Sequence, residues 1–269
     1  MTDDFFKTED IRLNREQAGS HWGNFGYWQT ATKFPEACKA LAELHGDMLE
    51  LSDKDRLLDL GFGCGDQIKL WREQYRVPFI AGINLSSKQT SVAQNKTVSL
   101  SGVELLCDDA MHTEKLAQQH GWHINKIVAL DCLYHFPDKI AVLAQCARLL
   151  PAGGKIVVTD FIRPSGKTGL LRRLILKQLL GTARCPYRQI ISKADCGEQL
   201  QAFGLTARFI PITEDVLGGF TNWLPGYISQ QPEKKPLYWR KYRAVAAMIR
   251  WVLRYRLLEY HLLVMEKRG

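Results

Sequence analysis

The sequence predicts an α/β protein: a Rossmann-like, doubly wound, mostly parallel sheet of seven strands, with a helical cap inserted after the fifth. Three observations carry that expectation. Short apolar runs recur about every 20–30 residues with helix-compatible segments between them, the alternation of a parallel sheet covered on both faces. The first run, Arg56-Leu57-Leu58-Asp59-Leu60, breaks into Gly61, Gly63 and Gly65 before a helix-compatible stretch. Such a strand, tight turn and helix start let a ligand approach backbone with no Cβ in the way. Polar residues also stand at the ends of the runs, where open α/β sheets bind ligands: Asp59, Asn84, Asp108, Asp109, Asp131 and Asp160.

The strands are expected in order at 57–60, 79–83, 103–107, 126–132 and 154–160, then at 205–210 and 260–266. The pattern changes after Asp160. An apolar and basic segment at 170–180 is followed by Cys185-Pro186-Tyr187 and a helix at 193–203. Residues 161–204 are therefore expected to form the cap. A long helix at 237–254 precedes the last strand. Three segments result: residues 1–160 with an N-terminal aromatic stretch and the ligand-binding core, the cap, and residues 205–269 completing the sheet.

The corner discriminates among nucleotide ligands. A dinucleotide fingerprint requires G-x-G-x-x-G and an acid ending the next strand. Here the glycines fall as G-x-G-x-G, Asp66 stands in the third fingerprint position, and the second strand ends in Asn84. No Lys-Ser/Thr follows the glycines, so a phosphate-cradling loop is excluded as well.

Composition narrows the class further. The acidic start Met1-Thr2-Asp3-Asp4-Phe5-Phe6 has no apolar core of a secretory signal. No uncharged apolar run approaches the roughly 20 residues of a membrane span. Seven scattered cysteines read as reduced thiols, which predicts a cytoplasmic protein, and no pair has zinc-site spacing. The net charge of +8 is unevenly spread. Residues 1–150 hold 16 Lys+Arg against 20 Asp+Glu, whereas residues 151–269 hold 20 against 8. The basic half points to an anionic contact.

Four segments in order resemble one family. Leu58-Asp59-Leu60-Gly61-Phe62-Gly63-Cys64-Gly65, Gly82-Ile83-Asn84-Leu85-Ser86-Ser87-Lys88-Gln89, Asn24-Phe25-Gly26-Tyr27-Trp28 and Leu150-Pro151-Ala152-Gly153-Gly154 look like motifs of the class I S-adenosylmethionine-dependent methyltransferases. The similarity is to the small-molecule branch that holds tocopherol, sterol and natural-product methyltransferases and the mycolic-acid cyclopropane synthases. It runs from about His21 to the C-terminus.

The resemblance implies S-adenosyl-L-methionine as cofactor and S-adenosyl-L-homocysteine as product. It places Asp59, Gly61, Gly63 and Gly65 at the methionine and ribose portion, and Asn84, Leu85 and Gln89 at the ribose or adenine. Asp108 or Asp109, with Ala110, would meet the adenine, and Asp131 the methionine end. Tyr27 and Trp28 could attract the sulfonium through their ring faces.

Methyl transfer demands alignment and, for a hydroxyl acceptor, a general base. Relatives often carry two histidines after the fourth strand; here the first position is Tyr134 and the second is His135. His135 is the expected base, Tyr134 an orienting residue, and Asp160 a helper of His135. The prolines of base-methylating enzymes are missing from Asp131-Cys132-Leu133-Tyr134, so a nucleic-acid substrate is not expected. A cyclopropane-type transfer, C-methylation, and a cofactor-binding regulator without turnover stay open as alternatives.

On the 237–254 helix, Arg240, Arg243, Arg250 and Arg254 share one side and Tyr242, Val245, Met248, Ile249, Val252 and Leu253 the other. With the apolar 170–180 segment, this predicts a hydrophobic, lipid-like or polyketide-like acceptor and peripheral contact with an anionic membrane at its inner surface.

Overall fold

A computed structural model describes residues 12–166, 169–231 and 236–269, with the side chains of 236–238 excepted. The acidic Met1–Phe6 start lies outside the described residues. The strands are β1 (Arg56–Leu60), β2 (Phe79–Asn84), β3 (Val103–Cys107), β4 (Lys126–Ala129), β5 (Lys155–Ile162), β6 (Leu205–Pro211) and β7 (Glu259–Lys267). They form one sheet in the order β3-β2-β1-β4-β5-β7-β6. β7 runs antiparallel to both of its neighbours, and the other pairings are parallel.

The helices are α1 (Phe34–Leu49), α2 (Asp66–Glu73), α3 (Ser87–Thr97), α4 (Thr113–Gln119), α5 (Lys139–Leu149), α6 (Leu170–Thr182), α7 (Lys193–Ala202), α8 (Gly219–Gln230) and α9 (Pro236–Arg254). Strand periodicity explains why both sheet faces are covered. Leu57, Ile80, Val128 and Val157 join one buried cluster with Phe34 and Leu41 of α1, Trp71 of α2 and Ile249 of α9. The alternate residues Leu58, Ala81, Ile127 and Ile156 join a second with Leu116 of α4, Val142 of α5 and Leu200 of α7. Successive side chains of a strand point to opposite faces, so strands apolar on both faces demand two helical layers.

Two boundaries differ from expectation. The fourth strand ends at Ala129 rather than 132, because Asp131 takes a left-handed backbone (φ 53°) that leaves the sheet. Within 161–204, α6 roofs the strand ends. α7 instead buries Cys196 and Leu200 in the second sheet cluster, so it serves as an ordinary crossover helix.

Candidate functional site

A cavity of about 1130 Å³ opens over the carboxyl ends of β1, β2 and β4. Its floor is the glycine corner. Gly61, Gly63 and Gly65 all take left-handed backbone, at φ 76°, 58° and 85°. Side-chain-bearing residues adopt that region at a cost of about 1–2 kcal/mol. Two of the three are packed against protein: a Cβ on Gly61 would lie 2.7 Å from Cys132 Sγ, and one on Gly65 2.8 Å from Ala93 Cβ. A Cβ on Gly63 would meet nothing within 4 Å. The middle glycine therefore faces the cavity, while Gly65 does not line it and serves as the N-cap of α2.

Asn84 and Gln89 line the cavity and are buried beside it. Asn84 Oδ1 accepts from the Gly63 N–H at 3.3 Å, and its Nδ2 donates to Gln89 Oε1 at 3.1 Å. The amide thereby ties the corner to the first turn of α3. Leu85 is 42% exposed and forms an apolar shelf, with Ala110 also on the wall. Asp108 and Asp109 both line the cavity. His112 Nδ1 sits 2.7 Å from Asp108 Oδ1, and this contact holds the Asp108 carboxyl below its ordinary value. Asp109 caps the following turn by accepting from the Met111 N–H at 2.9 Å.

Asp131 is the hub of the site. Its Oδ1 accepts from the Tyr134 hydroxyl at 2.7 Å and from the Tyr260 hydroxyl, and its Oδ2 accepts from the Phe25 N–H at 2.7 Å. Burial raises its pKa to about 6, with the three donors opposing. The Phe25 contact pins residues 20–33, which form neither helix nor strand, across the cavity as a strap. A second pin lies at His21, whose N–H donates to Asp66 at 3.2 Å, and Asp66 pairs with Lys96 at 2.6 Å.

Besides Gly65, four expected site residues are placed elsewhere. Tyr27 and Trp28 do not line the cavity. Trp28 packs at a tilt against Trp223 with 4.8 Å between ring centroids, its Nε1 donates to the Phe25 carbonyl at 2.8 Å, and it fills the space beside Gly219. Gly26, at φ 76°, turns the strap there, so Trp22 and Phe25 reach the cavity and the next two aromatics pack against the body. Asp59 lies fully buried beneath α2, accepting from Gln67 Nε2 at 2.8 Å and Trp71 Nε1 at 2.8 Å, and it does not line the cavity. Burial raises its pKa to about 7. Asp160 is also fully buried, in an ion pair with Lys139 at the start of α5. It does not line the cavity, and its Oδ2 is taken up by Lys139.

Tyr134 and His135 both line the cavity. Burial and the neighbouring Asp131 hold the Tyr134 phenol well above its ordinary value, so it stays protonated and donates to that carboxylate. Its ring packs on Phe161 at 4.6 Å. His135 Nδ1 lies 3.3 Å from the Arg184 carbonyl oxygen. A carbonyl only accepts, so this contact puts the ring proton on Nδ1 and leaves Nε2 as an acceptor. Burial lowers the His135 pKa, with the carbonyl opposing, which keeps the ring neutral near pH 7. Cys185 Sγ is 3.6 Å from the same Nδ1, but burial pushes its thiol up to about 12. The thiol therefore stays protonated near neutral pH.

The upper wall is apolar. Leu176 and Leu180 of α6 and Val245, Met248, Ile249 and Val252 of α9 face the cavity. The apolar side of α9 is thus turned inward, and Arg240, Arg243, Arg250 and Arg254 are exposed on the other side. Asp66, Tyr260 and Arg184 escaped the sequence reading as site residues. Asp66 was visible as the residue replacing a fingerprint glycine. Tyr260, 129 positions from Asp131, had no local signal.

A mostly parallel sheet in the order β3-β2-β1-β4-β5-β7-β6, with β7 antiparallel and a left-handed glycine corner after β1, is the Rossmann-like methyltransferase fold. The chain belongs to the methyltransferase domain family, whose model matches residues 30–208. It is 30% identical over 154 residues to 27-O-demethylrifamycin SV methyltransferase of Amycolatopsis mediterranei, covering 55% of this chain and 56% of that protein. It is 29% identical over 145 residues to a ubiquinone biosynthesis O-methyltransferase of Aromatoleum aromaticum, covering 51% and 58%. The chain spans a little over half the length of these curated relatives. Among solved structures, mycolic acid cyclopropane synthase CmaA1, complexed with SAH and CTAB, superposes with a TM-score of 0.74 at 20% identity, covering 99% of this chain and 95% of that one. Geranyl diphosphate C-methyltransferase from Streptomyces coelicolor A3(2) gives 0.74 at 14% identity, covering 99% and 97%. These likenesses speak to the fold.

Proposed function

We propose that the chain is an S-adenosylmethionine-dependent methyltransferase that O-methylates an apolar small molecule. One observation carries this reading: the cavity joins the glycine corner to a neutral histidine under an apolar roof. The residues present fit the cofactor. Gly63 offers backbone with open space beside it, Leu85 and Ala110 offer an apolar wall for a flat base, and Asn84 and Gln89 offer amides for a ribose. Asp131 holds the strap by the Phe25 N–H and so closes the methionine end. When bound, S-adenosylmethionine supplies an activated methyl group and leaves as S-adenosylhomocysteine.

His135 accepts the acceptor's hydroxyl proton at Nε2 as the oxygen becomes nucleophilic, and the Arg184 carbonyl stabilises the resulting imidazolium through Nδ1–H. Tyr134 orients Asp131 and walls the acceptor side with Phe161. Asp160 has a positioning role at most, through the buried Lys139 at the head of α5.

Peripheral contact with an anionic membrane belongs to this proposal, through α6 instead of α9. Leu170, Leu171, Leu174 and Ile175 are 74%, 71%, 56% and 40% exposed, and Arg172, Arg173 and Lys177 stand among them. Exposed apolar residues set among cations suit an anionic lipid surface. Among the described residues no helix is long and apolar enough to cross a membrane.

The test is transfer of label from methyl-labelled S-adenosylmethionine into a lipid and polyketide extract, with S-adenosylhomocysteine binding followed by calorimetry. Binding with transfer supports the enzyme. Binding without transfer to any extract supports a regulator, and absence of binding removes the cofactor assignment.

A further inference from the structure

The charges that line the cavity are sorted by sign. Its carboxylates are Asp66, Asp108, Asp109 and Asp131, all on the cofactor side of the proposed site and all engaged by donors or a cation. Its arginines and lysine are Arg184, Arg188 and Lys241, all on the segments that roof the acceptor side. The sequence of those segments is one-signed. Residues 161–194 contain eight Lys/Arg and no Asp or Glu, and residues 234–258 again contain eight and none. Two separate stretches without a single acid contribute to the wall of the acceptor half, which biases the charge there toward positive. A neutral or cationic acceptor gains nothing from that arrangement.

Arg184 brings the charge closest to the chemistry. It follows α6 at φ 54°, where its N–H donates to the Gly181 carbonyl at 3.1 Å and its own carbonyl faces His135 at 3.3 Å. The residue that sets the histidine tautomer thus also lines the cavity and is half-buried there. Arg188 is steadied at the same wall by donating to the Pro137 carbonyl at 3.2 Å. Guanidinium groups bind carboxylate and phosphate in paired hydrogen bonds, and they do so more strongly where water is partly excluded.

We propose that the acceptor is an amphipathic anion: an apolar body that lies against α6 and α9, bearing a carboxylate or phosphate group that pairs with Arg184, with Arg188 and Lys241 drawing it in. This rests on the proposed methyltransferase reading of the same cavity. It makes Arg184 a specificity-determining residue.

The experiment uses four probes with one tail: dodecanoate, dodecyl phosphate, dodecanol and dodecyltrimethylammonium. Each is titrated, below its micelle concentration, into the full chain saturated with S-adenosylhomocysteine. The expected result is tenfold or greater preference for one or both anions over dodecanol, and none for the cation. Which anion is favoured identifies the head group. In Arg184→Met that preference falls to within threefold of unity, while dodecanol binding holds. Arg148→Met, on the far exposed surface, retains it. Arg188→Met, which leaves the His135 contact in place, lowers it by a smaller factor and guards against a folding defect at 184. Equal binding of dodecanol and the anions overturns the proposal, as does a preference untouched in both Arg184→Met and Arg188→Met. Loss of S-adenosylhomocysteine binding by the wild-type chain would instead strike the cofactor assignment, so the two failures are distinguishable.

Discussion

Replacing Gly63 by alanine separates a folding role from a ligand role. Gly63 sits at φ 58°, where an L-residue costs about 1–2 kcal/mol. An alanine Cβ there would touch no protein atom within 4 Å, so backbone strain is the whole folding penalty. For a chain of this size that lowers Tm by about 2–8 °C. The added methyl points into the volume that the cofactor would occupy. Forcing a methyl into a packed contact costs about 1–3 kcal/mol, which weakens S-adenosylhomocysteine binding by about 5- to 150-fold. Gly61→Ala is the contrast: its Cβ would sit 2.7 Å from Cys132 Sγ and 3.1 Å from Cys132 Cβ, so its damage falls on stability. Calorimetry with S-adenosylhomocysteine and thermal unfolding, run on both variants, read the two effects apart. If Gly63→Ala binds the product within twofold of wild type, the corner does not cradle the cofactor and the reasoning fails.

Three further outcomes are expected. His135→Ala should lose at least 100-fold in methyl transfer while S-adenosylhomocysteine binding stays within threefold, since general-base catalysis is worth about 10²–10⁴. Because burial lowers the His135 pKa, the wild-type rate should fall to half its maximum at a pH below the 6.5 of a free imidazole; unchanged turnover in the variant removes the base. For stability against pH, Asp59 is the probe. Its folded pKa, about 7, is raised above the unfolded 3.8, so its contribution is fully present below 3.8 and lost as pH rises through 7. Wild type should therefore gain on Asp59→Asn by up to about 1.4 kcal/mol per unit as pH falls from 7 toward 4, measured by urea unfolding. A pH-independent difference would contradict the burial argument. At the surface, Leu170→Ser, Leu171→Ser and Leu174→Ser together should abolish flotation with phosphatidylglycerol vesicles and leave Tm within about 2 °C, because these side chains are exposed. Undiminished flotation would clear α6 of the membrane role.

The strands were legible because each is a short apolar run bounded by polar or glycine residues, and six of seven lie within two residues of their expected ends. The fourth overshot for a local reason. Leu130-Asp131-Cys132 continues the composition of a strand, but Asp131 adopts a left-handed backbone that composition does not encode. The site was legible where a motif and a cavity coincide, as at Gly61, Gly63, Asn84, Leu85, Gln89 and Asp131. It was illegible where a polar residue in a motif turns the other way. Asp59 looked like a ligand contact, yet Trp71 and Gln67 of α2 claim both of its oxygens. Tyr27 and Trp28 looked like sulfonium contacts, yet the Gly26 turn sends them to the body of the protein. On α9 the arginines fall on one exposed side, as the helical spacing separates them, and the apolar side covers the cavity.

By itself the sequence determined the doubly wound sheet, the glycine corner and the family, because these depend on residues close along the chain. Periodicity two builds strands with two apolar faces, and glycines at alternate positions permit consecutive left-handed turns. Only the tertiary structure decided what the cavity contains. Phe25 meets Asp131 across 106 positions, Tyr260 meets it across 129, and Arg184 meets His135 across 49. Such contacts depend on how β7 and α6 pack back over the strand ends, and the sum of local preferences does not specify them. The same packing puts the acids beside the corner and the cations over the acceptor. That separation turns a basic C-terminal half into a statement about the substrate.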